Sequence, residues 1–145
     1  MFKRPESVLV LVYARTGEVL MLRRRTPPDF WQSVTGSLEW DETPAAAARR
    51  ELREETGLAA EPVDRRHHVR FPILPAWRAR YAPDVAENLE HHFTLELPVP
   101  RPVRLNPAEH TEYRWLPRDE AAAQATSWTN AEAIRAWVPE GEFHA

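Results

Sequence analysis

The chain has 145 residues, a formal net charge of −3 and no cysteine. Such a length suits one domain with a core of its own, expected over residues 1–145. The mixed charge argues against a nucleic-acid binder, and the lack of thiols excludes disulfides and thiolate metal centres. Any metal would have to be held by oxygen or imidazole, and oxygen-rich sites favour Mg2+ or Mn2+.

The first element is the apolar run "SVLVLVYA" near the N-terminus. It is too short to cross a bilayer and lacks the small-residue cleavage site of a signal peptide. It reads as a strand buried on both faces, in a cytoplasmic protein with no membrane partner. "EVLMLRRR" follows and completes a hairpin around Thr16 and Gly17. "TPPDF" interrupts the pattern, and "WQSVTG" reads as a short strand entering a glycine turn. The clearest helix comes next, with Thr43 as N-cap, Pro44 in the first turn and Gly57 just past the end. Beyond it, "RHHVRFPI" and "NLEHHFTLEL" read as strands joined by the loop "PAWRARYAPDVAE". "RPVRL" and "EYRWL" are two further expected strands. The end is helical: "PRDEAAAQA", then "TNAEAIRAWV", which a capping box of Thr129 and Glu132 should open. Strands, helix, strands, helices imply an α/β fold with a mixed sheet under helices, not a regular βαβ repeat.

Within the clear helix, Glu51, Glu54 and Glu55 stand at i, i+3 and i+4. At helical pitch they share an arc of about 100°, while Arg49, Arg50 and Arg53 are expected mainly on the other side. Like charges at that spacing repel. Taken alone, such a string is an ordinary solvated helix face. A stripe of acid that faces one way is balanced most simply by a divalent cation.

The wider spacing narrows the choice. Gly36, Glu42, Arg50, Glu51, Leu52, Glu54, Glu55, Gly57 and Leu58 in "GSLEWDETPAAAARRELREETGL" match the whole signature of the Nudix hydrolases. The resemblance implies a Nudix-type α/β/α sandwich with a mixed β-sheet, in which residues 36–58 form a loop–helix–loop metal platform. It implies hydrolysis of a nucleoside diphosphate linked to another group, assisted by Mg2+ or Mn2+. Glu51 and Glu55 become the first expected metal ligands, with Glu54 next and the Gly36 carbonyl after it. Arg50 would brace the glutamates, Glu42 would fix the loop, and Glu39 is a weaker candidate. The catalytic base of this family often lies outside the signature. Glu109 in "NPAEHTEYRWL" is the best candidate, with Glu112 and Asp119 as rivals.

Other segments, "DFWQSVTGSLE", "RYAPDVAENLEHHF", "EHTEYRWL" and "SWTNAEAI", resemble the dihydroneopterin triphosphate pyrophosphohydrolases of bacterial folate synthesis, a branch of that family. The implied products are dihydroneopterin monophosphate and pyrophosphate. A flat pterin wants an aromatic face. Trp31 and Tyr81 are the first candidates, beside Phe30 and Trp128, although Trp31, Trp115 and Trp137 also suit a core. A triphosphate wants cations beyond the metal, and Lys3, Arg4, Arg24 and Arg80 are available, with Arg23 and Arg25. The pairs His67–His68 and His91–His92 sit in strands, where adjacent side chains point to opposite faces, so neither pair chelates one ion easily. Two alternatives remain open: a house-cleaning Nudix hydrolase of nucleoside triphosphates such as dATP or oxidised dGTP, and a non-catalytic Nudix-fold ligand-binding module.

Overall fold

The apolar run becomes β1 (Glu6–Ala14), the middle of a seven-stranded mixed sheet in a computed structural model that describes residues 1–140. β2 (Glu18–Arg24) returns antiparallel to it, with Tyr13 opposite Val19. "WQSVTG" divides into β3 (Trp31–Gln32), which pairs with β2, and β4 (Val34–Ser37), which pairs with β1. β5 (Val63–Pro72) and β6 (Glu87–Leu97) form an antiparallel pair, and β6 lies parallel to β1 from Glu6–Leu89 to Ala14–Leu97. β7 (His110–Pro117) pairs with β2, with a bulge between Arg23 and Arg24. The parallel β1–β6 pair is what makes the sheet mixed.

Helices cover both faces, as expected of an α/β/α sandwich. α1 (Pro44–Thr56) starts where the caps predict: Thr43 Oγ1 accepts from the Ala46 amide at 3.2 Å. It ends at Gly57, whose φ of 77° is the left-handed turn that glycine adopts without strain. α2 (Arg118–Gln124) and α3 (Trp128–Trp137) cover the other face. Alternation along β1 and β2 divides the core in two. Val8, Val10, Val12, Leu20 and Leu22 pack with Ala47, Ala48 and Leu52 of α1. Leu9, Leu11, Tyr13, Val19 and Met21 pack with Ala121, Ala122, Ala133 and Ile134 of α2 and α3. No described helix is long and apolar enough to cross a membrane.

Three expectations need correction. "RPVRL" is not a strand. Pro100, Pro102 and Pro107 interrupt the supply of ladder donors, and the segment instead packs Val103 and Leu105 on the α1 side of the core while the Arg104 amide donates to Thr56 O at 2.9 Å. The Thr129–Glu132 capping box does not form. α3 opens two residues earlier than that box requires, behind Ser127, and Thr129 is buried with its hydroxyl 2.8 Å from Ser127 Oγ. The loop before β6 contains a 3-10 turn, Pro75–Arg80, which becomes part of the site.

Candidate active site

α1 lays the buried part of the glutamate stripe along β4, Glu55 at Thr35 and Glu51 at Gly36. Glu51 and Glu55 are buried, at 8% and 2% exposure, whereas Glu54 is exposed. Burial comes first among the causes that push the Glu55 carboxyl well above the usual range, and the facing Glu51 carboxylate adds to it. Glu51 is raised for the same first reason and is held down in part by its hydrogen bonding with Glu55 and by Arg50. Glu55 Oε1 also accepts from the Thr35 amide at 3.4 Å.

Gly36 explains how Glu51 fits. A Cβ built on this residue would overlap the Glu51 carboxylate, so the strand offers bare backbone to the acid. Arg50 holds the arrangement from the other side. It makes a two-pronged contact with Glu42 at 2.8 Å on both nitrogens, donates to Glu51 at 2.7 Å, and reaches Ser37 O at 3.1 Å. Its guanidinium therefore turns back onto the stripe, and the expectation that Arg50 projects mainly from the opposite side is corrected. Glu42 takes a further hydrogen bond from the Glu39 amide at 2.9 Å, and Arg50 is the main cause of its depressed carboxyl pKa.

The donor set fits a hard divalent ion. Two buried carboxylates face each other with less than one full counter-charge, and bare backbone at Gly36 lies against them. Among the described residues no group of three His, Asp or Glu side chains already converges as a metal cluster. Glu54 instead leans on Arg50 at 3.5 Å. The histidine pairs meet one another across the β5–β6 ladder, His67 with His92 and His68 with His91, and engage Glu6, Glu90 and Trp137 in place of the stripe.

Glu109 sits in the turn before β7 with its carbonyl fixed by the Arg25 amide at 2.7 Å. It is exposed, and its charge acts on Glu55, Lys3 and Arg24, which places it at the mouth of the site. Its rival Glu112 is occupied by Arg23 at 3.2 Å and Arg114 at 3.0 Å, and Asp119 by Arg118 at 2.8 Å.

Three of the four expected cations gather here. Lys3 is drawn below its ordinary pKa by partial desolvation, then by Arg80 and Arg24. Its amide donates to Arg80 O at 2.9 Å, and its ammonium stands 5.9 Å from the Tyr81 ring. Arg4 does something else. It bonds Glu39 O at 2.8 Å, Trp40 O at 3.1 Å, Glu42 O at 3.0 Å and Glu6 at 2.8 Å, so it clamps the loop before α1 and has little left for a substrate.

Trp31 is the clearest misplacement. It is 6% exposed in the core under α2 and α3, its amide is bound to Thr126 Oγ1 at 2.9 Å, and Arg114 lies 5.0 Å over its ring. The Cα pairing of Arg23 with Trp31 turns it away from the α1 face. Trp128 stands exposed on α3. The aromatic wall beside the site is Phe30 with Trp77 of the 3-10 turn. Their centroids are 5.8 Å apart, and the Arg24 guanidinium is 5.8 Å from one and 5.4 Å from the other. Sequence reasoning did not single out Trp77, nor the buried neighbours Gln32 and His110. Burial first, then Arg24, pulls the His110 imidazole down to about 4, so it stays neutral at pH 7. The signal available for it was its position directly after Glu109.

The NUDIX domain family matches residues 3–138. The chain is 47% identical over 143 residues to the dihydroneopterin triphosphate diphosphatase of Escherichia coli (strain K12), covering 94% of both chains. It is 39% identical to the Haemophilus influenzae protein of the same name, covering 94% of this chain and 89% of that one. The solved structure of the E. coli dihydroneopterin triphosphate pyrophosphohydrolase superimposes with a TM-score of 0.89 and 45% identity, over 95% of this chain and 97% of that one.

Proposed function

The chain belongs to the NUDIX family, and from that premise we propose that it hydrolyses dihydroneopterin triphosphate to dihydroneopterin monophosphate and pyrophosphate, a step of folate synthesis. The observation that carries this reading is the buried Glu51–Glu55 pair against Gly36, in a chain that matches proteins bearing that name along nearly its whole length.

Glu51 and Glu55 would hold Mg2+ or Mn2+ together with the Gly36 carbonyl, and Glu54 would join once it leaves Arg50. When bound, the ion supplies charge neutralisation on the phosphate oxygens and a more acidic water. Arg50 keeps the two buried carboxylates aimed, because Glu42 holds its guanidinium by two hydrogen bonds. Lys3, Arg24 and Arg80 bind the triphosphate, and their cluster of positive charge favours a polyanion over a neutral ligand. Glu109 takes the proton of the attacking water. Its exposure beside Glu55, free of the ion pairs that occupy Glu112, supports that role. Tyr81 borders Lys3, whose ammonium stands 5.9 Å from its ring.

The test is a panel of dihydroneopterin triphosphate, dATP, dGTP and ADP-ribose compared by kcat/KM. One or two buried groups left unpaired by a ribose predict a preference of about 10- to 10³-fold for the pterin compound. Equal or better turnover of dATP or dGTP would assign the chain to nucleotide house-cleaning.

A further inference from the structure

His110 is 2% exposed, and among the described residues its Nδ1 atom has no hydrogen-bond partner. Its Nε2 meets the amide nitrogen of Gln32 at 3.1 Å. An amide NH2 can only donate, so Nε2 accepts, and the proton of the neutral imidazole stays on Nδ1. A buried donor with no acceptor weakens a fold unless something outside the chain answers it. Gln32 thereby fixes the tautomer and the orientation of the ring.

The ladder registers put this pair beside the glutamates. Gln32 is the Cα partner of Leu22, and His110 is the partner of Arg24. Directly opposed residues share a sheet face, and Leu22 packs on the α1 side. Arg24 links the two halves of the site. Its charge acts on Glu55 and Glu109, and its guanidinium rests against Phe30 and Trp77.

We propose that His110, oriented by Gln32, donates to the carbonyl edge of a fused nitrogen heterocycle on the substrate, with Phe30 and Trp77 as the wall against the ring's face. A donor on His110 Nδ1 complements a C=O on the edge of the ring. Pterin and guanine carry that edge, whereas adenine has no carbonyl. Nδ1 is enclosed in this structure, so a ring reaches it when Arg24 leaves the aromatic pair. A triphosphate supplies the pull, since the guanidinium gains more from phosphate oxygens than from ring faces. The pterin as the source of the ring rests on the function proposed above.

Calorimetric titration of the full chain with Mg2+ tests this with two partial ligands: pyrophosphate, which has phosphate and no ring, and neopterin, which has the ring and no phosphate and is titrated, like the nucleosides below, with pyrophosphate already bound so that Arg24 is drawn off the aromatic pair. His110→Phe keeps a ring of similar size and removes both nitrogens, and Trp77→Ala removes the wall from a largely exposed turn. Each should weaken neopterin by about 10-fold or more, the scale of one buried hydrogen bond or stacking face, with pyrophosphate changed by less than about twofold. Wild-type protein that does not bind neopterin overturns the proposal. So do variants that bind neopterin normally, or that lose both ligands equally. Should His110→Phe fail to fold, the wild-type protein still decides the edge: adenosine bound as tightly as guanosine overturns it. Guanosine bound as tightly as neopterin supports the edge reading and fails the dihydroneopterin assignment alone.

Discussion

The two faces of the sheet treat buried polar groups differently. Behind it, under α2 and α3, they satisfy each other. Trp137 Nε1 donates to His92 Nδ1 at 3.2 Å, His92 Nε2 meets Glu90 at 3.1 Å, and Asn130 exchanges two hydrogen bonds with Ser33 at 2.7 and 3.0 Å. Asn88 Oδ1 is the one buried atom of these strands left over, although its amide nitrogen donates to Ser7 at 2.8 Å. In front, by contrast, two buried carboxylates oppose each other and His110 holds an unanswered proton. Two buried carboxylates that share one arginine with Glu42 and Glu54 are more costly than a single unmatched amide oxygen. The chain itself completes the back, and on the front it leaves paired acids and a free donor.

The contrast breaks most sharply at Glu55. Glu55→Gln keeps the shape and removes an anionic metal ligand, so kcat/KM should fall by about 10³-fold or more, equivalent to several kcal/mol of lost charge stabilisation. The same substitution relieves the buried repulsion. In EDTA its melting temperature should exceed that of the parent protein, by about 2–4 °C for each kcal/mol recovered. EDTA should also silence the parent enzyme, with Mg2+ or Mn2+ restoring it. Full activity without metal, or a lower melting temperature for the variant, would put the carboxylates among ordinary packing groups.

Trp31→Ala strikes the back face. Loss of a large core ring should cost about 3–5 kcal/mol of stability in a denaturant titration, while the ratio of kcat/KM between dihydroneopterin triphosphate and dATP stays as in the parent. A changed ratio would return Trp31 to the pocket.

At the front, Glu109→Gln should lower kcat by about 10²-fold, the usual scale for loss of a general base. Glu112→Gln should change it by less than about threefold, because surface ion pairs contribute little. Reversed results would move the base to Glu112.

The smallest effect is a pH slope. The His110 imidazole sits near 4 in the folded chain against about 6.5 unfolded. Between those values the unfolded state binds the extra proton, so stability present above about pH 6.5 is lost as pH falls toward 4. Melting temperatures across that window should fall less steeply in His110→Phe than in the parent. Equal slopes would mean that His110 is not held neutral.

The residues of the glutamate platform were legible because their signals are local. Caps at Thr43 and Gly57, a helical spacing of acids, and a fixed distance from Gly36 all act within one loop–helix–loop. The hairpin and both terminal helices were legible for the same reason. Trp31 and Phe30 were confused because they are adjacent on the chain and opposite in space. Only the pairing of Arg23 with Trp31 settles which of them looks toward α1. Arg4 read as a phosphate ligand because a guanidinium in sequence shows no partner, and its partners are carbonyls more than thirty positions away.

By itself the sequence determined the family signature, the caps of α1, the identity of the acids and the absence of thiolate chemistry, since each of these is set by residues within a few turns of one another. The tertiary structure alone decided which acids are buried, which cations reach them, that Trp77 and not Trp31 stands beside the site, and that Gln32 meets His110. Those depend on strand register and on a sheet that brings residues 24, 32, 77 and 110 together. No local pattern encodes the burial that raises Glu55 or leaves a proton unmatched on His110, because desolvation is a property of the whole packed neighbourhood.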